Sequence, residues 1–557
     1  MRKSLFKNVN RAVRIVYLMA LLPFALFLSC GESVSTGDVT FNVFFSDTNA
    51  DWNNMKDEVG VYLEEKTGVT VAAEFPVGEL SQKISLIIAS GEYPDMIMPK
   101  GDAGALVEAG AMIDLEPLIE KHAPNIKKVM GNQFDRLRYS LNDPKIYFIP
   151  TIEYVGQIEF DMDAFFKLQL RALKEAGYPK VVTLKDYESV IEQYVNKHPV
   201  NENGQPAIGL SLLADDWRFV ISTTNPAFFA AGYSDDGEWG IDPVSYEAKP
   251  HYFRPEEREY FRWLNHMNHK GLLDPESFIQ KYDQYIAKIA SGRVVGVVDA
   301  WWEIQDAVNA LKAEGKFEQT YGRFGAVIKE GIKPAWNTPT GFRGGWGIGI
   351  TTACKDPVRA IKFLDYLSSD EGQVLINWGI EGKHYNVVDG KRVIPEDVAA
   401  MKYNDQSTFK KTTGIGNYFM SVRYGDGVKD PGGNYYTTKF PDSILDEYSS
   451  ADKEALKAYG VNFWGDLLPP ASEFEPKPWA AFWSIPVPQD KAEMNDFWNL
   501  EQAVVKKYLP KAIMGAPSDF DASYDAMLAE LDKEVGHLYE SATELVKDRL
   551  KLWGYIK

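Results

Sequence analysis

Cysteine is almost missing from this chain: 557 residues contain only Cys30 and Cys354. If Cys30 is committed elsewhere, no internal disulfide can form, so stability must come from packed cores, which a chain of this length can build. Cys354, in Thr351-Thr352-Ala353-Cys354, reads as filler of a small apolar niche. Positive charge is also short. Sixty Lys and Arg face 79 Asp and Glu, a net charge of −19, and Arg2, Lys3, Lys7, Arg11 and Arg14 precede the first acidic residue. Such an acidic body repels nucleic-acid phosphates and anionic membrane surfaces, so no nucleic acid is expected as a partner. It leaves an anionic ligand open, because a cleft can carry its own arginines. Catalytic signatures are scarce too: neither Gly-x-Ser-x-Gly nor His-Glu-x-x-His occurs. The glycines from Gly341 to Gly349 lack a following Gly-Lys-Ser/Thr and lack the Rossmann spacing. His266 and His269 have no third ligand nearby. The carboxylates Asp299 and Glu303 flank Trp301-Trp302 but have no spacing diagnostic of glycoside hydrolysis. No internal repeat and no later membrane span is evident.

What is there begins with an address. The basic start is followed by Ile15–Leu28, about 14 residues, too short to cross a bilayer but suited to a signal peptide. Phe27-Leu28-Ser29-Cys30-Gly31 resembles a lipobox, with Phe27 where leucine is commonest. Residues 1–29 therefore read as a signal peptide and Cys30 as an acylated (palmitate-bearing) residue. Residues 30–38 read as a tether to the membrane's outer face.

Fourteen Trp, 29 Tyr and 30 Phe are a heavy aromatic load; most belong to cores, but the Trp count is high enough to suggest a stacking surface. Phe41, Val43 and Phe45 alternate as a strand. Met55, Val59, Tyr62 and Leu63 repeat at helical spacing before Gly68. Val69–Phe75 is a second strand, Leu80 to Ile88 a second helix stopping near Ser90-Gly91, and Met96–Met98 a third strand. Strand–helix–strand–helix–strand implies an α/β fold with a parallel sheet, whose ligands gather at strand carboxyl ends. Those ends are Ser46-Asp47-Thr48 and Pro99-Lys100-Gly101. Further on, Ser234–Trp239 is expected as a hairpin tip, 254–271 and 275–289 as helices, and 324–329 and 346–350 as strands. Asp356-Pro357 opens another helix, Asp370 caps the next, and Gly379 ends it.

The segment Ala89-Ser90-Gly91-Glu92-Tyr93-Pro94-Asp95 resembles the family 1 extracellular solute-binding proteins of ABC importers. The likeness continues through Glu108-Ala109-Gly110, Asp114–Ile119, Ala123-Pro124-Asn125, Ile146–Pro150 and Gly271–Glu276. It is most specific at Asp365-Tyr366-Leu367-Ser368-Ser369-Asp370-Glu371-Gly372 and Asn377–Tyr385. It points to the large lipoprotein subgroup resembling alginate-oligosaccharide-binding proteins.

This resemblance implies a two-lobe periplasmic-binding-protein-like fold of type II, with ligand gripped at the seam. One lobe is expected from 39–155 plus about 322–395, the other from 156–321 plus about 396–557. The implied partners are a saccharide, ABC permeases and, through Cys30, the membrane; no cofactor and no catalysis are implied. Asp47, Trp52, Trp217, Asp299, Trp301, Trp302, Arg343, Trp346 and Tyr385 are the candidate ligand contacts, core packing being the rival role for each tryptophan. In an extended Trp301-Trp302 the rings would face opposite ways, so one of the pair is expected to meet ligand. The subgroup's calcium loop, Asp-Pro-Asn-Gly-Asn-Gly-x-x-Asp-Glu, corresponds to Pro199–Ile208 here, with Pro199 and Ala207-Ile208 in place of acidic ligands. No metal is expected there. An exported carbohydrate-active enzyme and a binder of peptide or another non-sugar solute remain the alternatives.

Overall fold

β1 (Val39–Phe44) points Phe41 and Val43 into the interior and leaves Thr40 and Asn42 outside. β2 (Val69–Glu74) and β3 (Met96–Ile97) flank it, both parallel, with Val39 opposite Val69 and Val43 opposite Met96. The computed structural model describes residues 38–344 and 346–557, and Asp38–Lys557 form one unit. The leader, Cys30 and the tether up to Gly37 lie outside the described residues.

The helix between β1 and β2 runs from Glu58 to Thr67 and ends at Gly68, whose φ of 62° supplies the left-handed turn. It starts later than the apolar spacing suggests. Asp57 accepts from Gly60 N at 2.7 Å as the N-cap, and Met55 lies ahead of it at φ 58°. The second helix, Leu80–Ser90, stops at Gly91 as the sequence implies.

The remaining strands are β4 (Ile149–Pro150), β5 (Tyr154–Val155), β6 (Phe166–Gln169), β7 (Ile208–Ser211), β8 (Trp239–Ile241) and β9 (Ala248–Pro250). They continue with β10 (Val294–Val298), β11 (Tyr321–Phe324), β12 (Gly347–Ile350), β13 (Asn386–Val388), β14 (Lys391–Val393) and β15 (Arg423–Tyr424). Two sheets dominate, ordered β2-β1-β3-β12-β4 and β11-β6-β10-β7. The first carries a core of Phe41, Val43, Met96, Ile348, Leu364 and Val422. The second packs Phe166, Leu210 and Tyr260 against the C-terminal helices through Val505, Tyr524 and Leu531. This is a two-lobe α/β molecule.

Several local expectations shift. The hairpin closes at Asp242–Glu247 between β8 and β9, downstream of Ser234–Trp239. Asp236 instead is buried and accepts from Lys477 Nζ at 3.0 Å, Trp479 Nε1 at 3.0 Å and Phe482 N at 3.2 Å. The helix expected from 275 begins only at Tyr282, because Asp274 is drawn inward by Ser211 and Lys288. Ser369, rather than Asp370, caps Asp370–Trp378 by accepting from Gly372 N. β11 ends at Phe324, ahead of the expected 324–329 strand, and lies in the second sheet, while Tyr418, Met420 and Val422 pack in the first core.

Strand direction positions the site. In the first sheet β12 runs antiparallel to both β3 and β4, so its start lies at the carboxyl ends of β1, β3 and β4. In the second sheet β10 is parallel to β7 and antiparallel to β6, and β6 is antiparallel to β11. The carboxyl ends of β7, β10 and β11 therefore share an edge with the start of β6. The chain leaves the first edge at Pro150 to enter the second at Phe166, and leaves the second at Phe324 to enter the first at Gly347. A further passage follows β15, which pairs with β5. The two sheet edges are thus joined directly by the connecting segments.

Candidate functional site

At the first edge, the turn after β3 holds Lys100 at φ 50°, a conformation side chains seldom adopt. Its ammonium pairs with Asp47, beyond the end of β1, at 2.5 Å, and lies 5.5 Å from the Trp346 ring. Trp346 immediately precedes β12. Its ring centroid is 4.8 Å from that of Trp483, with 58° between planes. The Arg343 guanidinium is 4.9 Å from Trp483 and forms an ion pair with Glu153, beyond the end of β4. Burial holds the Glu153 carboxyl above its ordinary range despite Arg343. Glycines make the bend possible: a Cβ at Gly344 would stand 2.2 Å from Arg136 O, and one at Gly347 2.2 Å from Ile149 O.

Trp483 belongs to the other lobe. Its Cβ would meet a Cβ at Gly237 at 3.3 Å, and the adjacent Phe482 N donates to Asp236. An indole anchored beside the β8 loop therefore rests against the indole just before β12.

The second edge carries another aromatic group. The Trp217 and Trp302 rings stack with centroids 5.9 Å apart at 18°, and Trp217, Trp301 and Trp302 are each 43–50% exposed. Trp301 and Trp302 open the helix Trp301–Ala313 instead of lying extended. Consecutive helical positions diverge by about 100° instead of facing opposite ways, and both indoles are partly exposed. Arg218 lies 4.8 Å from the Trp217 ring and binds Asp216 at 2.6 Å and Glu303 at 3.1 Å.

Asp299 is fully buried below this surface. Tyr285 Oη donates to it at 2.8 Å and Ala300 N at 2.8 Å. Burial, then the Glu303 charge, raise its carboxyl to about 8, while burial raises Glu303 to about 7 despite Arg218. Asp299 thus shapes the turn into Trp301 and does not reach solvent. Phe165 hands its carbonyl to Asp299 N, and its ring lies 4.8 Å from Trp336, which in turn stacks on Phe229 at 3.5 Å. The nitrogens Trp336 Nε1 and Arg343 Nε are buried without a hydrogen-bond partner.

Two candidates stand apart. Trp52 packs on the first core between Phe45 and Tyr418, with centroids at 5.7 and 5.5 Å. Tyr385 is buried against Trp378 and Arg392, in an aromatic set that includes Phe440 and Tyr435. Sequence reading missed Trp483, Trp336, Glu153 and the role of Lys100. Only Lys100, at an identified strand end, carried a local signal.

The residues at 199–208 do not fit a calcium ion. Asn201 Oδ1 accepts from Asn203 N and Gln205 N, while Glu202 is engaged by Arg171 at 3.1 Å and by Gln319. An arginine holds the loop's one carboxylate. His266 binds Glu188 at 3.0 Å. Among the described residues, no group of three or more His, Cys, Asp or Glu is arranged to hold a metal.

A family model of bacterial extracellular solute-binding proteins matches residues 62–378. The fructooligosaccharide ABC transporter substrate-binding protein FusA of Streptococcus pneumoniae is 27% identical over 351 residues, covering 59% of this chain. The chain spans about three fifths of that relative's length (61%). Lipoprotein LipO of Bacillus subtilis is 21% identical over 372 residues, 65% of this chain and 69% of LipO. Among solved structures, an HMO-binding solute-binding protein of Bifidobacterium longum infantis superposes with a TM-score of 0.66 at 15% identity, covering 93% of this chain and 99% of that one.

Proposed function

Because the chain belongs to the bacterial extracellular solute-binding proteins, we propose that it is the lipid-anchored capture component of an ABC importer. It takes an oligosaccharide between its lobes and delivers it to membrane permeases. The carrying observation is that two aromatic groups, Trp346 with Trp483 and Trp217 with Trp302, stand at the two connected sheet edges. Indole faces bind the apolar faces of pyranose and furanose rings, while Asp47, Lys100 and Arg343 offer hydroxyl partners. The similarity to a fructooligosaccharide-binding and an HMO-binding protein supports this solute class.

The energies are comparable in scale. Two indole faces, each covering ~100 Å² of sugar, contribute roughly 5 kcal/mol at ~25 cal/mol/Å² before ordering costs. Shifting an open–closed equilibrium from 1:99 to 99:1 takes roughly 5.5 kcal/mol. The three connecting segments act as the hinge, and the lobes divide where they cross. Trp336 Nε1 and Arg343 Nε, buried without partners, are suited to sugar oxygens once the lobes close.

Binding is without turnover, a reading supported by the burial of Asp299 and Glu303, the carboxylate pair that flanks Trp301-Trp302. Cys30 anchors it outside the cytoplasmic membrane, in keeping with the leader and with the lipoprotein LipO. Titration with an oligosaccharide panel, monitored by calorimetry, Trp fluorescence and product chromatography, tests the reading. Saturable binding with unaltered sugar is expected. Product formation, or no sugar binding at all, would overturn it.

A further inference from the structure

Each cation seated over the clamp rings is already matched by a carboxylate. Lys100, 5.5 Å from Trp346, pairs with Asp47. Arg343, 4.9 Å from Trp483, pairs with Glu153. Arg218, 4.8 Å from Trp217, is shared by Asp216 and Glu303. Further in, Lys167 is held by Asp163, and Arg323 by Asp161. Arg423, buried beside Thr151, donates to that residue's carbonyl and lies between the Tyr154 and Phe419 rings, out of solvent reach. Cations committed in this way meet a ligand carboxylate only by bringing it beside the protein carboxylate they already hold, and that like-charge juxtaposition is unfavourable.

Resting on the capture reading above, we propose that the solute is an uncharged oligosaccharide and that sugars bearing carboxylates, such as oligouronates, are rejected. Asp47, with 69% of its side chain exposed, meets the incoming ligand first. It accepts hydrogen bonds from neutral hydroxyls but repels a uronate. Lys100 and Arg343 keep donor hydrogens for hydroxyl oxygens while their charge stays balanced. The ion pairs thus serve as a charge filter around rings that would stack on either class of sugar.

The test compares purified full-length protein binding neutral tetrasaccharides (fructo-, gluco- and manno-series) with tetrauronates of equal length, by calorimetry at fixed ionic strength. At least one neutral series is expected to bind 100-fold or more tighter than every uronate. In Asp47→Asn with Glu153→Gln, Lys100 and Arg343 lose their partners, and the neutral-to-uronate affinity ratio should fall at least tenfold. Melting temperature checks that the variant is folded, and each single variant should lower the ratio partway. Uronates binding as tightly as neutral sugars, or folded variants with an unchanged ratio, would overturn the charge filter while leaving sugar capture intact. Binding of neither series would overturn the capture reading and the filter together.

Discussion

Trp346 and Trp483 meet at 4.8 Å, 137 positions apart, one just before β12 and the other beside the loop that Asp236 anchors. This contact joins the two lobes at the edge where the chain passes between them. It brings together two indoles that carry no shared motif.

Removing either wall of the clamp should weaken capture without unfolding the protein. Trp302→Ala and Trp346→Ala each lose ~100 Å² of stacking surface, about 2.5 kcal/mol or roughly 70-fold in affinity. Calorimetry with circular dichroism checks this, and two folded variants with full affinity would place the cleft elsewhere.

Breaking the anchor of the C-terminal segment should cost stability. Asp236→Ala leaves the buried Lys477 without its carboxylate, only the Asp235 carbonyl remaining, a change worth about 3–5 kcal/mol. Chemical denaturation should show a lower midpoint, and the altered setting of Trp483 should change intrinsic fluorescence. A wild-type midpoint would contradict the buried role of Asp236.

The contribution of Asp299 to stability should fall as pH rises from about 4 toward 8. Asp299 is raised to about 8 in the folded protein, so between its unfolded and folded values the native state holds a proton that the unfolded chain releases. Raising the pH through that window therefore favours unfolding, and Glu303, raised to about 7, adds to the slope. Melting curves from pH 5 to 8.5 should flatten in Asp299→Asn; an unchanged slope would remove Asp299 as its source.

Calcium should have no effect on the fold. Dialysis against chelator followed by calcium addition is expected to leave the melting temperature unchanged, because Arg171 already engages Glu202. A stoichiometric calcium signal with a matching melting shift would show that the loop binds metal after all.

Cys30→Ser should convert a membrane-partitioned protein into one recovered in the aqueous phase, with loss of labelled fatty-acid incorporation. Retention in the membrane fraction would assign anchoring to another feature.

Local signals carried much of the fold. The αL glycine at Gly68 and the Asp356-Pro357 helix start occur where short-range backbone chemistry requires them. The strand ends bearing Asp47 and Lys100 follow from alternation and helix spacing in the first hundred residues. The site was less legible. Asp299 looks like a ligand contact in sequence, yet its burial depends on Tyr285 and Ala300 in the folded lobe. Tyr385 shares the aromatic character of the clamp but is enclosed by Trp378 and Arg392.

From the amino-acid order alone came an expectation of export, an α/β pattern, a net acidic charge and a heavy aromatic load. Those properties depend on composition and on neighbours within one helical turn or one strand. Tertiary structure decided which rings stay exposed, which carboxylates neutralise Lys100, Arg343 and Arg218, and that Trp483 comes to rest on Trp346. Each of those outcomes depends on contacts between segments far apart in the chain, set by strand direction and by what each core can enclose.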